Sequence, residues 1–349
     1  MRPATAAVPV TCYRKSARPS RIVYAAMGAL AVIVAAVGCQ TAGSGSGSAA
    51  GGTSTLTVAA TPGVDDAPLY LAFKNGLFAK AGLNVLIRPY TSVNKELQAL
   101  ANGSVDVAAG DYVDFFYAEA TAPFSRLNLR VVADGYHAAT GVMEVLALPN
   151  SGITTPQDLE NKTIGTPEPQ LIPTLKGVPY SLETVATDSV LDNDGVPLNS
   201  VRWKPLPSGD LINALADHQV NAILIQEPYI YEAESELGAV EVLDSCSGAT
   251  ASLPLSGYLA TGSFASKNPD TVQDFRSALQ QAQAEAALPG PVENVLAHDS
   301  GMSMETASLV TVGDYPTSLN AASLQRVAGL MFSFGVLGRT LNVASMVGP

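Results

Sequence analysis

The side chains best able to do chemistry in this chain are carboxylates and tyrosines standing just after short apolar runs. They are Asp65 and Asp66, the pair Asp111-Tyr112, the group Asp134, Tyr136 and His137, and the stretch Glu227-Pro228-Tyr229. No Arg or Lys falls in the loops after Ala60, Ala109 or Ile225, and Lys176 is the one cation in 167–179. A pocket for a simple anion usually employs arginine forks, although helix N-termini can also hold anions. Acids and tyrosines instead suit a neutral or amino-bearing molecule with a flat face. Each residue also has a plainer use. One of Asp65 and Asp66 could cap a helix, Asp111 is a natural N-cap, and Tyr112 fits a core as well as a pocket wall. Glu227 could be a surface acid at a helix start, His137 a structural histidine and Trp203 a core strand residue.

Nucleophilic and metal chemistry find less support. The chain contains no G-x-x-x-x-G-K-[ST], no H-E-x-x-H and no C-x-x-C, and His137, His218 and His298 lie far apart. No catalytic residue, metal or cofactor is assigned. Of the cysteines Cys12, Cys39 and Cys246, only the last belongs to the globular part, so no internal disulfide is expected there and a buried thiol is.

The elements that must position these residues alternate. Strands are expected at 56–60, 84–90, 105–109, 129–133 and 144–148, with helices at 67–75, 94–101 and 111–119 between them. The pattern restarts with strands near 163–166, 201–204, 222–225 and 241–243 and helices at 181–191, 210–218 and one opening at Pro228 as its first residue. A strand at 257–261 and a mainly helical tail follow. Two successive α/β runs argue two lobes around a cleft, and ligands of open parallel sheets sit outside the carboxyl ends of strands. Those ends carry the acids and tyrosines named above.

The N-terminus fixes a compartment. Arg14, Lys15, Arg18 and Arg21 precede an apolar run over 22–37, which ends at Gly38-Cys39; a Gly/Ser-rich stretch follows to Ser54. A bilayer span needs about 20 apolar residues, so this shorter run suits a secretory signal. Ala36-Val37-Gly38-Cys39 resembles a lipobox, with Ala36 in place of the preferred Leu, and implies cleavage and lipidation at Cys39; an uncleaved anchor or simple secretion are the alternatives. Removing the five basic residues ahead of Cys39 deepens the formal charge from −12 to −17. So acidic a surface repels nucleic acid and anionic headgroups, which leaves lipid as the membrane link.

Several blocks carry a family likeness. They are Ala67–Ala72, Asn75–Val85 with its "GLF…GL-V" form, Leu97–Gly110, Ile153–Gly165, Gln219–Ala222 leading to Gln226–Tyr229, and Phe264–Pro269. In this order they resemble the solute-binding proteins of ABC importers, in the clade that handles nitrate, sulfonates, taurine and thiamine-type pyrimidines. The resemblance implies a bilobal type II periplasmic-binding fold with two crossover segments, and a Glu227 that points into the cleft. It implies lobe 1 at 55–148 plus 257–349 and lobe 2 at 149–256, behind a signal at 1–38 and a linker at 39–54. The expected ligand contacts are Asp65, Asp66, Asp111, Tyr112, Tyr136, Glu227 and Tyr229. The expected partners are a small molecule, such as a nitrogenous heterocycle, and a membrane permease, with the chain itself a monomer. A sulfonate, taurine or nitrate binder, a sensing module for a membrane receptor, and an enzyme on the same fold are the competing readings.

Overall fold

The computed structural model describes residues 53–288 and 290–347. The signal, Cys39 and the linker up to residue 52 lie outside them; Ser54 already belongs to the first strand.

The first α/β run comprises β1 (Ser54–Ala59), α1 (Ala67–Lys74), α2 (Leu77–Lys80), β2 (Leu83–Arg88), α3 (Val93–Asn102), β3 (Val107–Asp111), α4 (Tyr112–Ala120) and β4 (Leu129–His137). The second comprises β5 (Met143–Ala147), β6 (Thr163–Pro167), α5 (Leu182–Asn193), β7 (Arg202–Leu206), α6 (Leu211–Ala216), β8 (Ala222–Gln226), α7 (Tyr229–Leu237) and β9 (Val240–Asp244). The chain closes with β10 (Pro254–Thr261), α8 (Gly262–Lys267), α9 (Pro269–Ala286), α10 (Pro291–Asp299), α11 (Met304–Ala307) and α12 (Ala321–Ser333).

Local chemistry accounts for the boundaries. Ser92 caps α3 by accepting from the Lys95 amide, so the helix starts one residue before the expected 94, and Gly103 ends it at φ 74°. Such a left-handed residue costs glycine nothing and lets the chain turn into β3. Asp111 caps α4, its Oδ1 accepting from the Asp114 amide at 2.7 Å. The Glu227–Pro228 peptide is cis, and α7 starts after it, at Tyr229, rather than with Pro228 as its first residue.

The strands form two five-stranded sheets, ordered β2-β1-β3-β10-β4 and β7-β6-β8-β5-β9. In each, three parallel strands meet one that runs the other way: β10 is antiparallel to β3 and β4, and β5 to β8 and β9. This corrects the expected lobe boundaries. Met143–Ala147 is buried at every position and pairs in the second sheet, so the chain crosses at 138–142 rather than near Pro149. It returns over 245–253, before β10, and the two crossings touch where the Ala138 amide donates to Leu253 O at 2.8 Å.

The first sheet packs on an aromatic core. Phe78 stacks on Phe275 with centroids 5.4 Å apart, and Tyr258 meets Phe275 edge-on at 5.7 Å. Cys246 is buried, and burial pushes its thiol well above the ordinary range, as expected of a structural cysteine. Among the described residues no helix is long and apolar enough to cross a membrane.

Candidate functional site

A cavity of about 700 Å3 opens between the elements of the two sheets. The first sheet's side supplies Pro62–Asp65 after β1, Tyr136 near the end of β4, and Leu296, Ser300–Met302 and Thr306 from the tail. The second supplies Val142 at the crossing, Gln226–Tyr229 after β8, and Tyr231, Glu232, Ser235 and Glu236 along α7. The strand-end loops converge as the placement rule for parallel sheets requires.

Among the described residues, four carboxylates (Asp65, Glu227, Glu232, Glu236) and three tyrosines (Tyr136, Tyr229, Tyr231) line this cavity, and no Lys, Arg or His does. Burial raises the Asp65 carboxyl above its ordinary value, opposed by nearby backbone amides and the Ser256 hydroxyl. Glu227 is raised by burial too, and its two backbone donors pull the other way. Its Oε1 accepts from the Thr311 amide at 2.9 Å and its Oε2 from the Tyr231 amide at 3.2 Å. Glu227 therefore braces the start of α7 and also reaches across to the tail segment beside the first sheet. Tyr136 is buried, and its hydroxyl accepts from the Gly313 amide at 2.6 Å.

Of the expected contacts, Asp65, Tyr136, Glu227 and Tyr229 share the cavity and Asp66, Asp111 and Tyr112 do not. Tyr112 is fully buried and donates to Asp134 Oδ1 at 2.7 Å, which makes it core rather than pocket wall. Its ring occupies space that a Cβ at position 257 would fill, so Gly257 is what admits it. Asp66 is buried and its carboxyl is raised by burial, then by the Asp65 charge, with the Tyr258 hydroxyl acting against both. It makes no side-chain cap to α1 either. Asp111 is committed to its cap, and its carboxyl is raised by burial and also feels Glu183 of the second lobe. Asp134 is buried against Tyr112, the Gly135 amide and His137, whose Nε2 lies 3.1 Å away, so neither sits at the cavity mouth.

Sequence reasoning passed over Glu232 and Glu236. They stand three and seven positions after Tyr229, one face of a helix, and that spacing could have revealed them. Glu183, in the first turn of α5, does not line the cavity but its Oε1 accepts at 3.0 Å from Nε2 of Gln226, which does. The tail residues carry no motif that points to a cavity. Among the described residues no group of three or more His, Cys, Asp or Glu side chains is placed to hold a metal ion.

Comparison with known proteins agrees with this architecture. The aliphatic sulphonate-binding protein SsuA from Escherichia coli superposes with a TM-score of 0.67 at 18% identity, over 84% of this chain and 97% of that one. The nitrate-binding protein NrtA from Synechocystis PCC 6803 gives 0.63 at 11% identity, over 84% and 85%. The desulfurization enzyme DSZB gives 0.61 at 16% identity, over 85% and 96%. Identities this low show the fold alone, the type II periplasmic-binding fold. No curated protein sequence matches the chain. The family model described as "NMT1/THI5 like" matches residues 64–293. With more than half its length matched, the chain belongs to the NMT1/THI5-like family.

Proposed function

We propose that this protein is an extracytoplasmic solute-binding protein, which captures a small amino-bearing molecule between its lobes and hands it to an ABC-type permease. The observation that carries the reading is the cavity wall: four carboxylates and three tyrosines from both sides, with no cationic side chain among the described residues. Glu232 and Glu236 stay exposed, but Asp65 and Glu227 are partly withdrawn from water and need donors, and a protonated or exocyclic amine supplies charge-assisted hydrogen bonds to them. Tyrosine faces pack a flat ring. A nitrogenous heterocycle of the thiamine-pyrimidine type meets both demands. Sulfonate or nitrate would bring negative charge to an acidic wall, and nothing lining the cavity offers the arginine fork such ligands favour.

Binding rather than catalysis is the reading we favour, and it accords with the Cys246 thiol, which burial holds in its protonated form. The two crossings at 138–142 and 245–253 are the places where lobes could hinge shut on a ligand. We further propose that Cys39 carries a lipid anchor. Cys39→Ser should move the protein out of the membrane fraction, and retention at wild-type levels would refute the anchor.

A thermal-shift panel tests the ligand class. Amino-pyrimidines are expected to raise the melting temperature, by an amount equivalent to about 2.7 kcal/mol at a hundredfold excess over Kd. Alkanesulfonates and nitrate are expected to leave it unchanged. Stabilisation by the anions alone would reverse the assignment.

A further inference from the structure

We infer that the first lobe carries a second binding site, for an organic oxyanion with a phosphate or carboxylate head and a short apolar body. A hollow of about 380 Å3 lies against the start of β4, α8 and the N-terminal half of α9. It shares no residue with the ligand cavity. It also opens at the other end of the sheet: β10 ends at Thr261, paired with Leu129, the first residue of β4, whereas Tyr136 lies at the far end of that strand.

Two guanidinium groups line it, Arg130 and Arg276. Arg276 Nε donates to Val132 O at 2.7 Å, which fixes the plane of the group and, among the described residues, leaves its terminal nitrogens without a protein acceptor. Arg130 Nη1 donates only to the neighbouring Leu129 O, at 3.2 Å. Among the described residues no Asp or Glu oxygen lies within ion-pair distance of either arginine. Glu119 feels Arg130, but gives an oxygen to the Leu129 amide at 2.7 Å and remains outside ion-pair reach. Asp270 and Asp274 sit on α9 but do not line the hollow.

Two unpaired guanidiniums sharing one hollow are unexpected in a chain with 31 acids and 19 basic residues. Partial burial pushes the Arg276 guanidinium below its ordinary value, and no neighbouring acid offsets this. An incompletely hydrated charge without a counter-ion is costly, and a planar fork with free nitrogens matches phosphate or carboxylate oxygens. The remaining wall is largely apolar, with Val132, Ala265, Pro269 and Val272, and would cover a short hydrocarbon body.

Calorimetric titration of the full chain with octyl phosphate tests this, using Arg130→Gln and Arg276→Gln variants whose folding is checked by circular dichroism. Octyl phosphate should bind the wild type, inorganic phosphate should compete with it, and each variant should bind at least tenfold more weakly. A second arm uses phosphatidylglycerol vesicles. Retention that depends on Arg276 assigns the head to a membrane lipid, and binding of octyl phosphate alone assigns it to a soluble anion. The inference is overturned if neither probe binds, if octanol binds as well as octyl phosphate, or if both variants bind like wild type. None of these results bears on the ligand cavity, which contains neither arginine.

Discussion

Tyr112 shows how far a residue can be read from its neighbours in sequence. Its position just after an expected strand made it a pocket candidate, as it did Tyr136, which does line the cavity. What separates them is β10, more than a hundred residues away. Gly257 has no side chain, so the Tyr112 ring fills that space and its hydroxyl reaches Asp134. Tyr112→Phe should therefore cost about 1.5–3 kcal/mol of folding stability, the range for a hydrogen bond to a charged group, and leave ligand affinity unchanged. Denaturant unfolding and a binding titration check both halves. A loss of affinity without a loss of stability would return Tyr112 to the pocket. Glu96 makes a second residue-scale case. It is buried in the first turn of α3, and burial raises its carboxyl from 4.5 to about 7, with the Asp111 and Asp65 charges adding to the rise. A folded-state value above the unfolded one means the protonated form is favoured by folding. The stability it contributes is complete below about pH 4.5 and is lost as pH rises towards 7. Unfolding free energy should fall across that window by on the order of 1–3 kcal/mol through this group. Glu96→Gln should flatten the fall; a slope equal to that of wild type would contradict the assignment.

At the scale of elements, the apolar runs were legible and their partners were not. Val107–Ala109 and Ala222–Ile225 are buried on both faces, as parallel central strands must be. Met143–Ala147 reads the same way, because a strand covered on both sides shows no pattern that names its sheet. Its membership is set by pairing with β8 and β9, which lie far along the chain. The acids at strand ends were legible for a similar reason: the placement rule depends on strand direction, and Asp65 and Glu227 follow strands whose direction the α/β alternation fixes. The helical tail obeys no such rule, and its contribution to the cavity was invisible. The pairing of β10 beside β4 also makes a testable demand on backbone space. Gly257→Ala would drive a Cβ into the Tyr112 ring, and Tyr112 cannot retreat without giving up Asp134. We expect a loss of about 1–3 kcal/mol, the cost of overpacking a filled core, measurable by thermal unfolding. A neutral result would mean the sheet yields at that point.

Taken as a whole molecule, the protein places two sheets, two crossing segments and an acid-walled cavity in the arrangement of a clamp. Glu227 is where these parts meet: it braces the first turn of α7, reaches Thr311 beside the first sheet, and faces the cavity. Each of its oxygens accepts one backbone donor and keeps a lone pair for a guest. The central claim is that this carboxylate holds an amino group of the solute. The most direct measurement is a calorimetric titration of a thiamine-type aminopyrimidine and of an alkanesulfonate into wild type and Glu227→Gln. The account predicts that wild type binds the aminopyrimidine and not the sulfonate, and that Glu227→Gln binds it more weakly by about 1.5–3 kcal/mol, or roughly 10- to 150-fold in Kd. Tighter binding of the sulfonate, or equal aminopyrimidine affinity in wild type and Glu227→Gln, would contradict it.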